Sequence, residues 1–151
     1  MATVVEQPSD LPGLVGKHLG YSDWVEVPQS QIDLFAEATG DHQWIHTDPE
    51  RAEGGPFGAT IAHGYLTLSL TPILLGQVLK VKGIKMGVNY GCNKVRFTAP
   101  VTSGSKVRLG AEVAAVDEVA GGYQLTVDAT IEAEGASKPS CVAQLVFRYY
   151  A

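Results

Sequence analysis

The chain has 151 residues, with 45% hydrophobic and 18% charged residues, so it is long enough for one packed core and short for two. A formal net charge of −5 leaves no basic stripe for nucleic-acid phosphates, although a local basic patch for one phosphorylated ligand remains open. The two cysteines, Cys92 and Cys141, are too few for a disulfide scaffold, form no C-x-x-C motif and read as buried, reduced thiols. The first residues lack the charged-then-apolar layout of a signal peptide and offer no myristoylation glycine. The longest apolar stretch, Tyr65 to Val81, is interrupted by Thr67, Ser69, Thr71, Pro72, Gly76, Gln77 and Lys80. It therefore reads as a buried helix rather than a membrane span, and the expected location is cytoplasmic.

In chain order, residues 1–16 carry Pro8, Pro12, Gly13 and Gly16 and are expected to form an extended arm. His18 to Val27 reads as a first strand, on the β-preferring side chains Trp24, Val25 and Val27. A helix should start near Ser30, a candidate N-cap with Asp33 three residues on, and end at Gly40 in the left-handed position. Asp41 to Thr47 reads as a loop. Asp48-Pro49-Glu50 predicts a second helix start, stopped by Gly54-Gly55-Pro56. From about His63 to Leu79 runs a long helix, apolar on most sides and so expected to be buried on most sides, with a kink at Pro72.

Four strands follow, at residues 84–99, 105–119, 123–134 and 140–150, with clear alternation in Leu125, Val127, Ala129, Ile131 and in Leu145, Phe147, Tyr149. Ala120-Gly121-Gly122 is a hairpin signal, so the last three strands should form an antiparallel meander. The order of elements predicts an α+β domain, an antiparallel sheet of about five strands wrapped around a long central helix. Open sheet edges make edge-to-edge dimerisation an expectation.

The densest chemistry lies in Thr39-Gly40-Asp41-His42-Gln43-Trp44-Ile45-His46-Thr47-Asp48-Pro49. Asp41 and His46 are five apart, which a continuous helix would not align, but a loop after Gly40 can turn both toward one water. A carboxylate and an imidazole on one water can manage the two proton movements that hydration needs. The alternative is structural: Asp41 as a cap and His46 as a single hydrogen bond. His42, His46, Asp41 and Asp48 are potential metal ligands, but their spacing matches no common zinc motif, and no metal is expected.

The second candidate is Ala62-His63-Gly64-Tyr65, at the start of the long helix. The Gly64 N–H could receive the oxygen of an enolate that forms when a nucleophile adds to an α,β-unsaturated thioester. The alternative is that Gly64 only permits close packing. His63 and Tyr65, with Gln43 upstream, complete the candidate substrate-binding set.

Gly40-Asp41-x-x-x-x-His46 followed by Ala62-His63-Gly64 resembles the MaoC-like (R)-specific enoyl-CoA hydratases, also called hydratase 2, whose motif reads roughly G-D-x-N-P-x-H and then H-G. Val95-Arg96-Phe97-Thr98-Ala99-Pro100-Val101 is similar to that family's strand leading into a turn, and the resemblance covers roughly residues 18–150. It implies a single hot-dog domain over residues 1–151, with Asp41 and His46 as the catalytic pair and Gly64 as the backbone donor to the thioester carbonyl. The implied reaction, in fatty acid metabolism, is reversible syn hydration of trans-2-enoyl-CoA to (3R)-3-hydroxyacyl-CoA. It implies a homodimer and no cofactor beyond the CoA of the substrate, while the net charge and the interrupted apolar stretch argue against a nucleic-acid or membrane partner.

The family's Asn-Pro is Gln43-Trp44 here, a longer amide and a large ring where the family has a rigid turn. Three other readings use the same architecture. They are a (3R)-hydroxyacyl thioester dehydratase acting on acyl carrier protein, an acyl-CoA thioesterase, and a non-catalytic acyl-binding subunit.

Overall fold

The computed structural model describes residues 2–151. Strand β1 (Thr3–Val5) leads through a 3-10 helix (Pro8–Leu14) to β2 (His18–Tyr21) and β3 (Val25–Glu26). Helices α1 (Gln29–Thr39), α2 (Trp44–Thr47), α3 (Pro49–Glu53), α4 (Gly64–Ser69) and α5 (Thr71–Val78) follow. Strands β4 (Leu79–Val81), β5 (Met86–Arg96), β6 (Lys106–Val119), β7 (Gly122–Ala133) and β8 (Cys141–Tyr150) complete the chain.

The main sheet runs in the order β2-β6-β7-β8-β5, antiparallel throughout, with β3 also on β6. It is five strands wide because β2 and β3 occupy one edge in succession. The expected first strand is thus broken at Ser22–Trp24, where the Ser22 N–H donates to the Leu109 carbonyl and its Oγ accepts from the Leu109 N–H. Val107, Leu109, Ala111 and Val113 of β6 point inward in alternation, as do Leu125, Val127, Ala129 and Ile131 of β7 and Ala143, Leu145 and Phe147 of β8. They close one core with Leu66, Leu74, Leu75 and Val78 of α4 and α5. Val119 pairs with Gly122, so Ala120-Gly121 is a two-residue hairpin loop, with Gly121 in the left-handed region at φ +82°. Helix and sheet together form the expected hot-dog arrangement.

Several expectations need correction. The arm of residues 1–16 is not merely extended: β1 pairs in parallel with β4, and Leu11 of the 3-10 helix is fully buried. Ser30 lies inside α1, whose cap is Pro28 with no side-chain bond, and Asp33 instead accepts from the Gln29 side chain. The long helix is divided at Leu70, because the ring of Pro72 is tolerated only in the first turn of a new helix, α5. Nor is it buried on most sides: Tyr65 is 70% and Ile73 69% exposed. Cys92 is exposed on β5, whereas Cys141 is buried, and burial with Cys92 nearby pushes its thiol up to about 11. The caps at Gly40 (φ +82°) and Asp48, whose carboxylate accepts from the Arg51 N–H at 3.1 Å, are as expected. Among the described residues no helix is long and apolar enough to cross a membrane.

Candidate active site

The site begins where α1 ends. Gly40 turns the chain with its N–H on the Ala36 carbonyl, and Asp41 emerges with an exposed side chain. Asp41 Oδ1 accepts from the Gln43 N–H at 3.3 Å, an Asx turn that directs the chain into α2. His46 therefore sits on a one-turn helix, where a loop was expected. Thr47 Oγ1 closes that turn by donating to the carbonyls of His42 (3.1 Å) and Gln43 (3.2 Å).

His46 is 7% exposed, and its Nδ1 lies 2.7 Å from the Ile61 carbonyl. A carbonyl only accepts, so Nδ1 carries the proton and any proton exchanged by His46 passes through Nε2. Ile61 is itself held by its N–H on the Ile45 carbonyl at 2.9 Å, next to Ala62, whose N–H donates to the Val101 carbonyl at 2.8 Å. Gln29 braces the other side, donating to the His46 carbonyl at 2.7 Å and accepting from Thr60 Oγ1 at 2.5 Å.

His63 is 3% exposed, and its Nε2 donates to the Asp41 carbonyl at 2.9 Å. Its ring stacks on His46, with centroids 3.9 Å apart and planes 22° from parallel, and Phe35 packs against it at 4.9 Å. The His63 Nδ1 is buried without a partner. Asp41, His46 and His63 each present a ligand atom within 4.8 Å of the others, a spacing that could hold a cation. The two imidazoles lie face to face, whereas rings sharing one ion splay so that their lone pairs converge. The arrangement suits proton exchange better than coordination.

Gly64 opens α4, so its N–H has no acceptor within the helix. A Cβ there would meet the Phe97 ring at 2.8 Å, so the packing role of this glycine is real, and the missing side chain serves it whether or not the N–H also meets a ligand. Gly64 and Phe97 line a cavity of about 330 Å³ together with Phe57, Ile61, Ala62 and Pro100. Tyr65 is turned outward, its ring edge-on to Phe97 at 5.9 Å. Gln43 contributes its backbone, not its exposed amide. Trp44 lies under the Arg51 guanidinium, 4.3 Å from the ring centroid, and outside the cavity wall.

Of the residues singled out in the sequence, Asp41, His46 and His63 come together, Gly64 adjoins them, and Gln43 and Tyr65 stand aside. Gln29, Thr60, the Ile61 carbonyl and Phe97 carried no signal in the sequence. Their roles are hydrogen bonds or packing contacts made across 15 to 33 positions of the chain.

The MaoC like domain family matches residues 10–135. The 3-hydroxyacyl-thioester dehydratase Z of Mycobacterium tuberculosis is 53% identical over 147 residues, covering 97% of each chain. Nodulation protein N of Rhizobium leguminosarum is 44% identical over 142 residues, 91% of this chain and 88% of that one. Among solved structures, the (R)-hydratase from A. caviae involved in PHA biosynthesis aligns with a TM-score of 0.72 at 28% identity, over 88% of this chain and 94% of that one. The chain belongs to the MaoC-like dehydratase family and is an enzyme of its hydratase–dehydratase class.

Proposed function

We propose that the chain catalyses reversible syn hydration of a trans-2-enoyl-CoA to the (3R)-3-hydroxyacyl-CoA, in fatty acid metabolism. The observation that carries this reading is the convergence of the Asp41 carboxylate with a His46 whose Nδ1–H is committed to Ile61, leaving Nε2 to exchange protons over one water. Addition to one face of the double bond needs a proton removed from water as its oxygen attacks C3, and a proton delivered to C2 from the same side. Asp41 and His46 form one compact group that can serve both steps. The Gly64 N–H would receive the negative charge that develops on the thioester oxygen. Gln43 would position Asp41 through its backbone, and Tyr65 would flank the entrance beside Phe97. No electrons change hands, so the reaction calls for no cofactor beyond the CoA of the substrate.

The reading includes a homodimer acting in the cytoplasm. Support for a partner comes from β5, an eleven-residue edge strand largely exposed on both faces, and from uncovered Tyr65, Ile73, Met86 and Tyr90. Light scattering should give twice the chain mass; a monomer at micromolar concentration would remove this part.

The main test is loss of the enoyl absorbance of crotonyl-CoA on addition of enzyme, with chiral analysis of the product. A second reading is dehydration of a 3-hydroxyacyl group on acyl carrier protein; the name of the 53% identical relative favours the dehydration of a 3-hydroxyacyl thioester and names no carrier. Comparing CoA and carrier-protein thioesters separates the two. Release of free thiol in step with substrate loss would replace both with thioester hydrolysis.

A further inference from the structure

Helix α2 has four residues, too few for a helix to persist by itself, because its first turn fixes several dihedrals for one hydrogen bond. Its conformation, and with it the place of His46, has to be held from outside. The helix ends one residue after His46, so no N–H of α2 reaches the His46 carbonyl. Gln29 Nε2, on the first residue of α1 and 17 positions away, donates to that carbonyl at 2.7 Å.

The orientation of the Gln29 amide follows from its neighbours. Nε2 also donates to Asp33 Oδ1 at 2.9 Å, and a carbonyl and a carboxylate both only accept. Oε1 therefore faces Thr60, whose hydroxyl donates to it at 2.5 Å. Thr60 is buried and anchored toward the sheet: its carbonyl accepts from the Ser103 N–H at 2.9 Å, and Ile61 beside it pairs with Thr102. The Ile61 carbonyl in turn holds the His46 Nδ1–H. One amide thus ties the backbone of His46 to the same two-residue segment that holds its ring. A water could satisfy the His46 carbonyl, but it would not fix the distance between these two anchors. Proton exchange over one water tolerates little displacement, since a shift of about 1 Å can cost about 10²-fold in rate.

We propose that Gln29, oriented by Thr60, is a positioning residue that holds His46 Nε2 in line for proton exchange, an inference that rests on the acid–base reading of His46 above. Gln29 takes no part in the proton transfers.

Gln29→Met keeps the length and bulk of the side chain and removes its hydrogen bonds. With crotonyl-CoA, kcat per folded molecule should fall about ten- to a hundredfold while KM stays within twofold. Circular dichroism at the assay temperature gives the folded fraction, so lost fold is not counted as lost rate. Thr60→Val leaves Oε1 without its donor and should lower kcat about fivefold, whereas Thr60→Ser keeps the donor and should stay within twofold of wild type. The double variant Gln29→Met/Thr60→Val should be no slower than Gln29→Met alone, because both changes break one linkage. A kcat per folded molecule within twofold of wild type in Gln29→Met would overturn the inference, as would a raised KM with kcat unchanged, or additive losses in the double variant. If Gln29→Met does not fold, the Thr60 variants decide: loss in Thr60→Val but not in Thr60→Ser supports the linkage, and equal activity in the two ends it.

The NMR signal of the His46 Nδ1–H supplies a readout that needs no substrate. Its exchange with water should be about five- to tenfold faster in Gln29→Met than in wild type, the factor of one lost hydrogen bond. Unchanged exchange overturns the inference whatever the kinetics show. If the wild type hydrates no thioester, the acid–base reading fails by itself, and this exchange rate alone decides whether Gln29 holds His46.

Discussion

In the β6–β7–β8 meander, Leu109, Leu125, Ile131 and Leu145 are almost wholly buried, and ladders of ten and twelve paired residues hold the strands in register. Between Gly40 and Gly64, by contrast, no element exceeds five residues. There the chain is held by single hydrogen bonds between side chains and carbonyls: His63 to Asp41, His46 to Ile61, Gln29 to His46. The sheet thus draws its stability from apolar area, about 1.5–3 kcal/mol for each leucine-sized side chain buried. The site draws its shape from directional bonds worth about 1 kcal/mol each. Stability and chemistry are therefore separable by mutation in this molecule.

The sharpest test of that separation is Asp41→Asn or His46→Gln. Each should lower kcat by about 10² to 10⁴, the usual contribution of a general acid or base, while Asp41→Asn leaves the melting curve nearly unchanged. Full activity in both purified variants would sink the proposed chemistry. The complement is Leu125→Ala, which leaves a void in the sheet and should cost about 2–5 kcal/mol in urea unfolding. Its kcat per folded molecule should stay near wild type; a parallel loss of kcat would show that the two regions are coupled.

His63→Phe keeps an aromatic ring against His46 and Phe35 but removes the donor to the Asp41 carbonyl. The expected outcome is a drop in kcat of about tenfold with little change in KM, matching one lost hydrogen bond. A KM effect instead would move His63 from positioning to substrate contact.

The smallest effect is expected at the outer face of the sheet. Arg108 there pairs with Glu132 and lies over the rings of Tyr21 (4.3 Å) and Trp24 (4.6 Å). All of these groups remain partly solvated, so Arg108→Ala should cost no more than about 1 kcal/mol and leave activity unchanged. A larger loss by denaturant titration would show that the sheet relies on more than its inner face.

Legibility in the sequence followed the same division. The strands from Met86 onward were readable to within a residue or two at most ends, because period-2 alternation and a two-residue glycine turn are local signals. The caps at Gly40 and Asp48 were readable for the same reason. The break of the first strand at Ser22 was not, since it depends on the Leu109 backbone, 87 positions away. Nor was the exposure of Tyr65 and Ile73, because an apolar pattern says that a face should be covered but not by what. In the site, motif spacing pointed to Asp41, His46 and Gly64, while Gln29, Thr60 and Phe97 went unseen. Each of these three acts on a residue far along the chain, and nothing in its own neighbourhood marks it.

By itself, the sequence determined the order of elements, the inward faces of β7 and β8 and the residue types available for proton exchange. These follow from periodicity, turn chemistry and side-chain functional groups, all local properties. Tertiary structure alone decided which nitrogen of His46 is free, because that depends on where the Ile61 carbonyl is pinned. It also decided that His63 lies against His46 and that the Gln29 amide reaches both His46 and Thr60. Hydrogen-bond direction and burial are properties of a neighbourhood, and a neighbourhood exists only once distant segments have packed together.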